Sequence, residues 1–275
     1  MVYSINKINV LCFVMTPLII HHHIFKNSGT SFDQILKLNF GNTAFFEDSR
    51  FPFFRYTSYQ VEKIISTLHA FKSISSHQFP HPYINEYDLV KDRAILSVTF
   101  LRDPITRVKS IYGFKKKYAD DSKTSENAQK YNFKDWLKYS VEDKFERVHV
   151  SNSQCSFFSI DQNGKAIKKS KDNAFIYDLK LAKKNLSKFF FCGITENFEN
   201  SIHQLNKNLE DVGVSKLKHR NVRENVTTTN FNDSLETRIE KIFDEIGEEL
   251  AKELLKINQQ DIELRDFASK KFLEK

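Results

Sequence analysis

The sequence predicts an α/β domain, a central parallel sheet covered by helices in three layers. Three observations point to it. Short apolar runs rich in β-branched and aromatic residues occur at 18–25 (LIIHHHIF), 95–101 (ILSVTFL) and 189–193 (FFFCG). Segments with helical spacing of apolar residues separate them. No repeat, linker or low-complexity tract divides the 275 residues, so one domain is the economical reading.

The elements follow in order. Residues 18–25 read as the first core strand, ending in a turn, Lys26-Asn27-Ser28-Gly29-Thr30-Ser31. Residues 32–38 are helical, with Phe32, Ile35 and Leu36 on one face. Residues 39–58 read as irregular, and Tyr59–Ala70 as a helix. The run 95–101 reads as a buried strand. Arg102-Asp103-Pro104 then opens a helix to about Phe114, proline suiting a first helical turn. Residues 115–130 read as an exposed loop. Helices are predicted at Phe133–Ser140 and Val150–Phe158, and a short strand (AFIY) with a helix start within Ala174–Lys184. After the strand at 189–193 comes a helix from Phe198 to Leu209. The stretch 215–232 is polar and irregular, and residues 234–258 read as one long amphipathic helix.

Composition excludes several classes. With 26 Phe and 10 Tyr the chain can bury a core, which rules out disorder for its bulk. Only 7 Gly and 5 Pro exclude collagen-like and linker-like chains. Three cysteines, Cys12, Cys155 and Cys192, without CxxC spacing, exclude a disulfide scaffold and zinc or redox motifs. The apolar stretch near Val10–Ile20 is too short for a bilayer span and lacks a small-x-small cleavage site. It runs straight into the first strand, so residues 1–16 read as an N-terminal extension, 17–275 as the domain, and the protein as cytoplasmic without stable membrane insertion. The formal charge of +7 favours anionic partners, though a lysine-rich solvated surface has the same composition.

Two constellations carry chemistry. A turn between strand and helix presents backbone N–H groups at the positive end of the helix, a ready anion site. Gly29 allows close approach, Thr30 and Ser31 add hydroxyls, and Lys26 adds a charge. An ordinary capped turn shares this composition. The triphosphatase loop GxxxxGK[ST] is excluded because the lysine precedes the glycine. In the second, the strand 95–101 delivers Arg102 to its C-terminal end, where ligands bind in open parallel sheets, and Ser110 lies two turns into the helix. Arg102 suits phosphate through bidentate bonds, or could pair with Asp103 or another carboxylate.

Together these segments resemble the sulfotransferase superfamily, and most closely carbohydrate sulfotransferases of the heparan sulfate 2-O-sulfotransferase and chondroitin sulfotransferase type. His23–Ser31 is similar to the family's H-I-x-K-x-x-G-T-S turn, a P-loop-like turn that grips the 5′-phosphosulfate of 3′-phosphoadenosine-5′-phosphosulfate (PAPS). Phe100–Ser110 is similar to F-L-R-D-P-x-x-R-x-x-S, which grips the 3′-phosphate through Arg102 and Ser110. Residues 192–201 (CGITENFENS), Asn152-Ser153-Gln154 and 258–264 (NQQDIEL) resemble three further family segments in the expected order. The sequence departs at Phe25, where proline is usual, at Ser28, often glycine, at Cys155, usually threonine, and at Arg265, near the usual tyrosine.

The resemblance implies a PAPS-dependent sulfotransferase that sulfates a hydroxyl, of a carbohydrate in these relatives, and releases 3′-phosphoadenosine-5′-phosphate (PAP). It implies Lys26 and His77 as catalytic residues, His77 matching the histidine of a G-H-F-P-like segment, with His81 as the fallback. A histidine pKa near 6.5 suits a base at neutral pH. It implies cofactor contacts from Lys26, Asn27, Ser28, Gly29, Thr30, Ser31, Arg102 and Ser110, with Arg223 in a late loop that is equally a solvated one. Glu47 or Glu86 is the substitute base if neither histidine serves. Consecutive strand residues point apart, so His21-His22-His23 is not expected to chelate one ion, and neither metal nor nucleic acid is implied. A P-loop-like kinase and a non-catalytic nucleotide-binding relative remain as alternatives.

Overall fold

A computed structural model describes residues 17–47, 56–68, 70–79, 93–118, 120, 122–161, 166, 168–171, 174–219 and 233–274. Five parallel strands form one sheet in the order β2-β3-β1-β4-β7. They are β1 (Leu18–His22), β2 (Ala44–Glu47), β3 (Ser73–Ser76), β4 (Ile95–Leu101) and β7 (Phe191–Ile194). The central strand β1 pairs with β3 on one side and β4 on the other. The chain therefore reverses its direction of travel across the sheet beside β1, and the crevice at the carboxyl ends there is where open α/β sheets bind ligands.

Alternation along β1 builds the layers. Ile19 packs with α1 (Gly29–Phe40) through Phe32, Ile35 and Leu36, while Leu18 and Ile20 pack with Val61 and Ile65 of α2 (Ser58–Thr67). β4 is buried along almost its whole length, as its continuous apolar run requires. Asp103 caps α3 (Pro104–Lys117), its carboxylate accepting from the Thr106 N–H at 2.8 Å, with Pro104 at the first position. The lysines 115–117 close the last turn of α3, the end that favours cations.

Several sequence expectations are corrected. The first strand ends at His22 and its helix begins at Gly29 rather than at 32. Within the stretch read as irregular, residues 44–47 form β2, an edge strand. The loop expected at 115–130 contains the end of α3 and α4 (Lys123–Lys130), whose Thr124, Ser125, Asn127 and Ala128 are buried. Its polar residues misled because small hydroxyl and amide side chains pack against α3. The helix at 133 runs to Glu142 as α5, and that expected at 150–158 is α6 (Ser153–Phe158). The AFIY strand is β6 (Ala174–Tyr177), but it pairs antiparallel with β5 (Lys168–Lys171), outside the main sheet. α7 (Leu179–Leu186) and α8 (Phe198–Asp211) follow the expected pattern. The long helix at 234–258 is two, α9 (Leu235–Ile246) and α10 (Glu248–Ile257), broken at Gly247 with φ of 85°. α11 (Gln259–Phe272) closes the chain. Among the described residues no helix is long and apolar enough to cross a membrane.

Candidate active site

Three neighbouring strands deliver the site. β1 ends in the turn, β3 ends beside His77, and β4 ends at Arg102. Register does the placing: His22 pairs with Ser76 across β1 and β3, so the next residues, His23 and His77, also stand side by side. Their ring centroids are 3.8 Å apart.

The turn is conformationally demanding. Lys26 and Ser28 have φ of 64° and 59°, a left-handed backbone that costs a non-glycine residue about 1–2 kcal/mol. A buried network holds it. Arg107 donates from Nε to the Phe25 carbonyl and to Asn27 Oδ1, both at 3.1 Å. Asn27 Nδ2 donates to the Phe100 carbonyl at 2.8 Å and to Gln154 Oε1 at 2.7 Å. Gln154 in turn accepts from the Arg102 N–H and donates to the Arg102 carbonyl, both at 2.9 Å. Asp261 anchors Gln154 from α11, accepting from the Gln154 N–H at 3.0 Å and the Cys155 N–H at 2.6 Å. The turn and the end of β4 are thus latched as one unit by Gln154, 127 positions from Asn27 and 52 from Arg102.

Lys26, Ser28, Gly29, Thr30 and Ser31 line a cleft of about 180 Å³ together with His23, His77, Arg102, Ser110 and Phe114. Eight of the residues singled out in the sequence therefore meet at one place. Asn27 does not join them: its side chain turns into the core, 1% exposed and committed to the latch. Arg223, His81 and Glu86 lie outside the described residues. Glu47 ends β2 and accepts from the Tyr56 hydroxyl at 2.9 Å.

The cleft is electropositive. Burial, reinforced by the charges of Arg102 and Arg107, lowers Lys26 to about 8. Its ammonium stacks 4.5 Å over the Phe114 ring. Arg102, 18% exposed at its side chain, does not pair with Asp103. Its nearest carboxylate is Glu196 at 4.0 Å, which Arg265 also holds at 3.4 Å. Burial lowers the Arg102 pKa further than Glu196 raises it, and Arg238 lowers it again. A multiply charged anion bound here would relieve this crowding of cations.

A second cavity of about 250 Å³ continues past Arg102 and Ser110 to α9. It adds Lys109, Arg238 and Lys241, which sequence reading missed. Lys109 is held by Glu245 at 2.5 Å and Lys241 by Asp233 at 2.7 Å, so Arg238 is the cation there without a carboxylate at salt-bridge distance among the described residues. Nothing local in the sequence ties α9 to α3. Only the pattern of basic residues on the polar face of an amphipathic helix hinted at it.

The histidine triplet needs a correction. His21 and His23, two residues apart, do share a face, and Asp33 of α1 meets both. Their ligand atoms lie within 4.8 Å of one another, yet each imidazole Nδ1 is committed to its own carboxylate oxygen, making a hydrogen-bonded clamp. His22 is buried against the Phe79 carbonyl, and burial pushes it down to about 3. Cys155 and Cys192 are buried, and burial raises both thiols, which leaves neither suited as a nucleophile.

A model described as the sulfotransferase family matches residues 13–268. The chain is also similar to an uncharacterized protein of Archaeoglobus fulgidus, 25% identical over 254 residues, covering 90% of this chain and 94% of that protein.

Proposed function

The chain belongs to the sulfotransferase family, and from that premise we propose that it moves a sulfuryl group from PAPS to a saccharide hydroxyl. The observation that carries the reading is the meeting of Lys26, His77, Arg102 and Ser110 around one cationic cleft. Residues 17–275 form the working domain, 1–16 are an extension, and the reaction runs in the cytoplasm.

The donor supplies the sulfuryl group, and the protein supplies positioning, charge and a base. The N–H groups and hydroxyls of Ser28–Ser31 hold the 5′ end at the α1 N-terminus. Arg102 and Ser110 hold the 3′-phosphate. His77 donates from Nδ1 to the His23 carbonyl at 2.7 Å, since a carbonyl can only accept. That tautomer puts the lone pair on Nε2, where the acceptor hydroxyl proton goes. Lys26 stabilises charge growing on the bridging oxygen, the kind of preorganised electrostatics that dominates catalysis. Phe25 and Phe114 give the cleft an aromatic edge, with Phe25 6.5 Å from His77, on which the apolar face of a sugar ring can lie.

The test is sulfate transfer from labelled PAPS to a panel of saccharides. His77→Ala should lose about a hundredfold or more in turnover with PAP affinity nearly unchanged. Arg102→Ala should weaken PAP far more than adenosine 5′-phosphate. Binding of PAP with no transfer to any acceptor would leave a non-catalytic relative, and turnover of ATP instead would mean a kinase.

A further inference from the structure

We propose that Asp33 is a positioning residue that orients the base His77 and balances its charge, acting through His23. This rests on the reading of His77 as base. The route is continuous in the geometry. Asp33 stands in α1 directly behind the anion-binding turn. Its Oδ1 meets His21 Nδ1 at 2.7 Å and its Oδ2 meets His23 Nδ1 at 3.0 Å. The two imidazoles lie stacked, their centroids 5.1 Å apart. Burial raises the Asp33 pKa, but the charges and hydrogen bonds of His21 and His23 outweigh that and hold it well below the ordinary carboxylate range. An ionised carboxylate only accepts, so both histidines carry their proton on Nδ1.

His23 then touches His77 twice. Its carbonyl accepts the His77 Nδ1–H at 2.7 Å, and its ring lies 3.8 Å from the His77 ring at a tilt of 33°. The His23 ring can occupy this place because residue 29 has no side chain: a Cβ there would stand 2.0 Å from His23 Cδ2. One carboxylate thereby fixes both the ring and the backbone against which the base rests.

Charge acts in the same direction. On taking a proton His77 becomes a cation. Around the cleft stand His23 just past the end of β1, Lys26 from the turn and Arg102 after β4, with His21 stacked behind His23 and Arg107 acting on Lys26. Glu47, at the end of the outer strand β2, is engaged by Tyr56. Asp33 is the anion set against the histidines themselves. An opposite charge favours the protonated imidazole and so raises its pKa. Removing it lowers the pKa of the base and weakens it.

The experiment is the pH profile of kcat/KM for the wild-type chain, Asp33→Asn, Asp33→Glu and His23→Gln, with PAP affinity measured beside it. Asp33→Asn should lose about tenfold or more in kcat. Its acid limb should move to lower pH by about half a unit or more, and PAP affinity should stay within about threefold. Asp33→Glu should restore the limb, and in the His23→Gln background Asp33→Asn should no longer move it. An acid limb that stays in place while the rate falls means that Asp33 is a purely structural contact, and overturns the proposal. Wild-type activity that depends on added zinc or is lost to a chelator also overturns it, by making the three residues a cation site. Imidazole nitrogen NMR of the wild-type chain is independent of whether any variant folds. Nδ1–H tautomers at His23 and His77 are expected, and Nε2–H at either one refutes the relay. If His77→Ala remains active, it is the assignment of the base that fails, whatever Asp33 does.

Discussion

Gly29→Ala is a sharp probe of how the turn is built. Glycine there is not needed for backbone freedom, since positive φ falls on Lys26 and Ser28 instead. It is needed for space: a methyl at position 29 would sit 2.0 Å from His23 Cδ2 and 2.1 Å from His23 Nε2. Ordinary carbon contacts need about 3.5 Å, so the ring or the helix start must move by roughly 1.5 Å. A shift of that size takes His23 Nδ1 out of its 3.0 Å bond to Asp33. Overpacking of this kind costs about 1–3 kcal/mol, or a fall in Tm of roughly 2–5 °C for a chain of this size. Because the displaced backbone carries the turn N–H groups, PAP affinity should fall about tenfold as well. Thermal melts with and without PAP, paired with calorimetric titration, measure both. A variant that melts within about 1 °C of wild type and binds PAP equally well would falsify the claim that His23 packing dictates glycine at this position.

Three further outcomes are expected. With Lys26 lowered to about 8 in the free protein, chiefly by burial and then by Arg102 and Arg107, a bound anion favours the protonated amine. PAP affinity should therefore be full below pH 8 and fall by about tenfold or more towards pH 10, whereas Lys26→Arg should stay flat; a flat wild-type profile refutes this. Asp261→Ala orphans the Gln154 and Cys155 N–H groups in the core, and should cost about 2–4 kcal/mol in denaturant unfolding while loosening PAP; loss of stability without any change in PAP affinity would uncouple the latch from the turn. Arg238→Gln should weaken PAP about tenfold and adenosine 5′-phosphate little, while Lys241→Gln, whose ammonium is already on Asp233, should change PAP by less than about twofold; equal effects of the two would remove Arg238 from the site.

Much of the fold was legible because its signals are local. The run Ile95–Leu101 is apolar and β-branched over a full strand length, and Asp103-Pro104 caps the helix that follows, so strand, boundary and helix are all written within a dozen residues. The turn after β1 was legible for the same reason, and with it most of the residues that line the cleft. The short strands β2 and β3, four residues each, were not legible, because a strand of that length is stabilised by its neighbours in the sheet rather than by its own pattern. The break at Gly247 carried a local signal, a glycine inside a helical pattern, but apolar spacing continued across it.

What only the tertiary structure decided are relations between distant residues. Asn27 has the composition of a turn ligand, yet Arg107 and Gln154 draw its side chain inward. Gln154 is anchored by Asp261 on another helix, and Arg238 faces Arg102 across a cavity that neither helix encloses alone. His23 and His77 lie 54 positions apart in sequence and meet only because β1 and β3 pair in one particular register. Local chemistry determined which segments become strands, helices and the turn after β1. Strand register and long-range hydrogen bonds determined which side chains stand within reach of one another, because contact energies depend on distances that no sequence window contains.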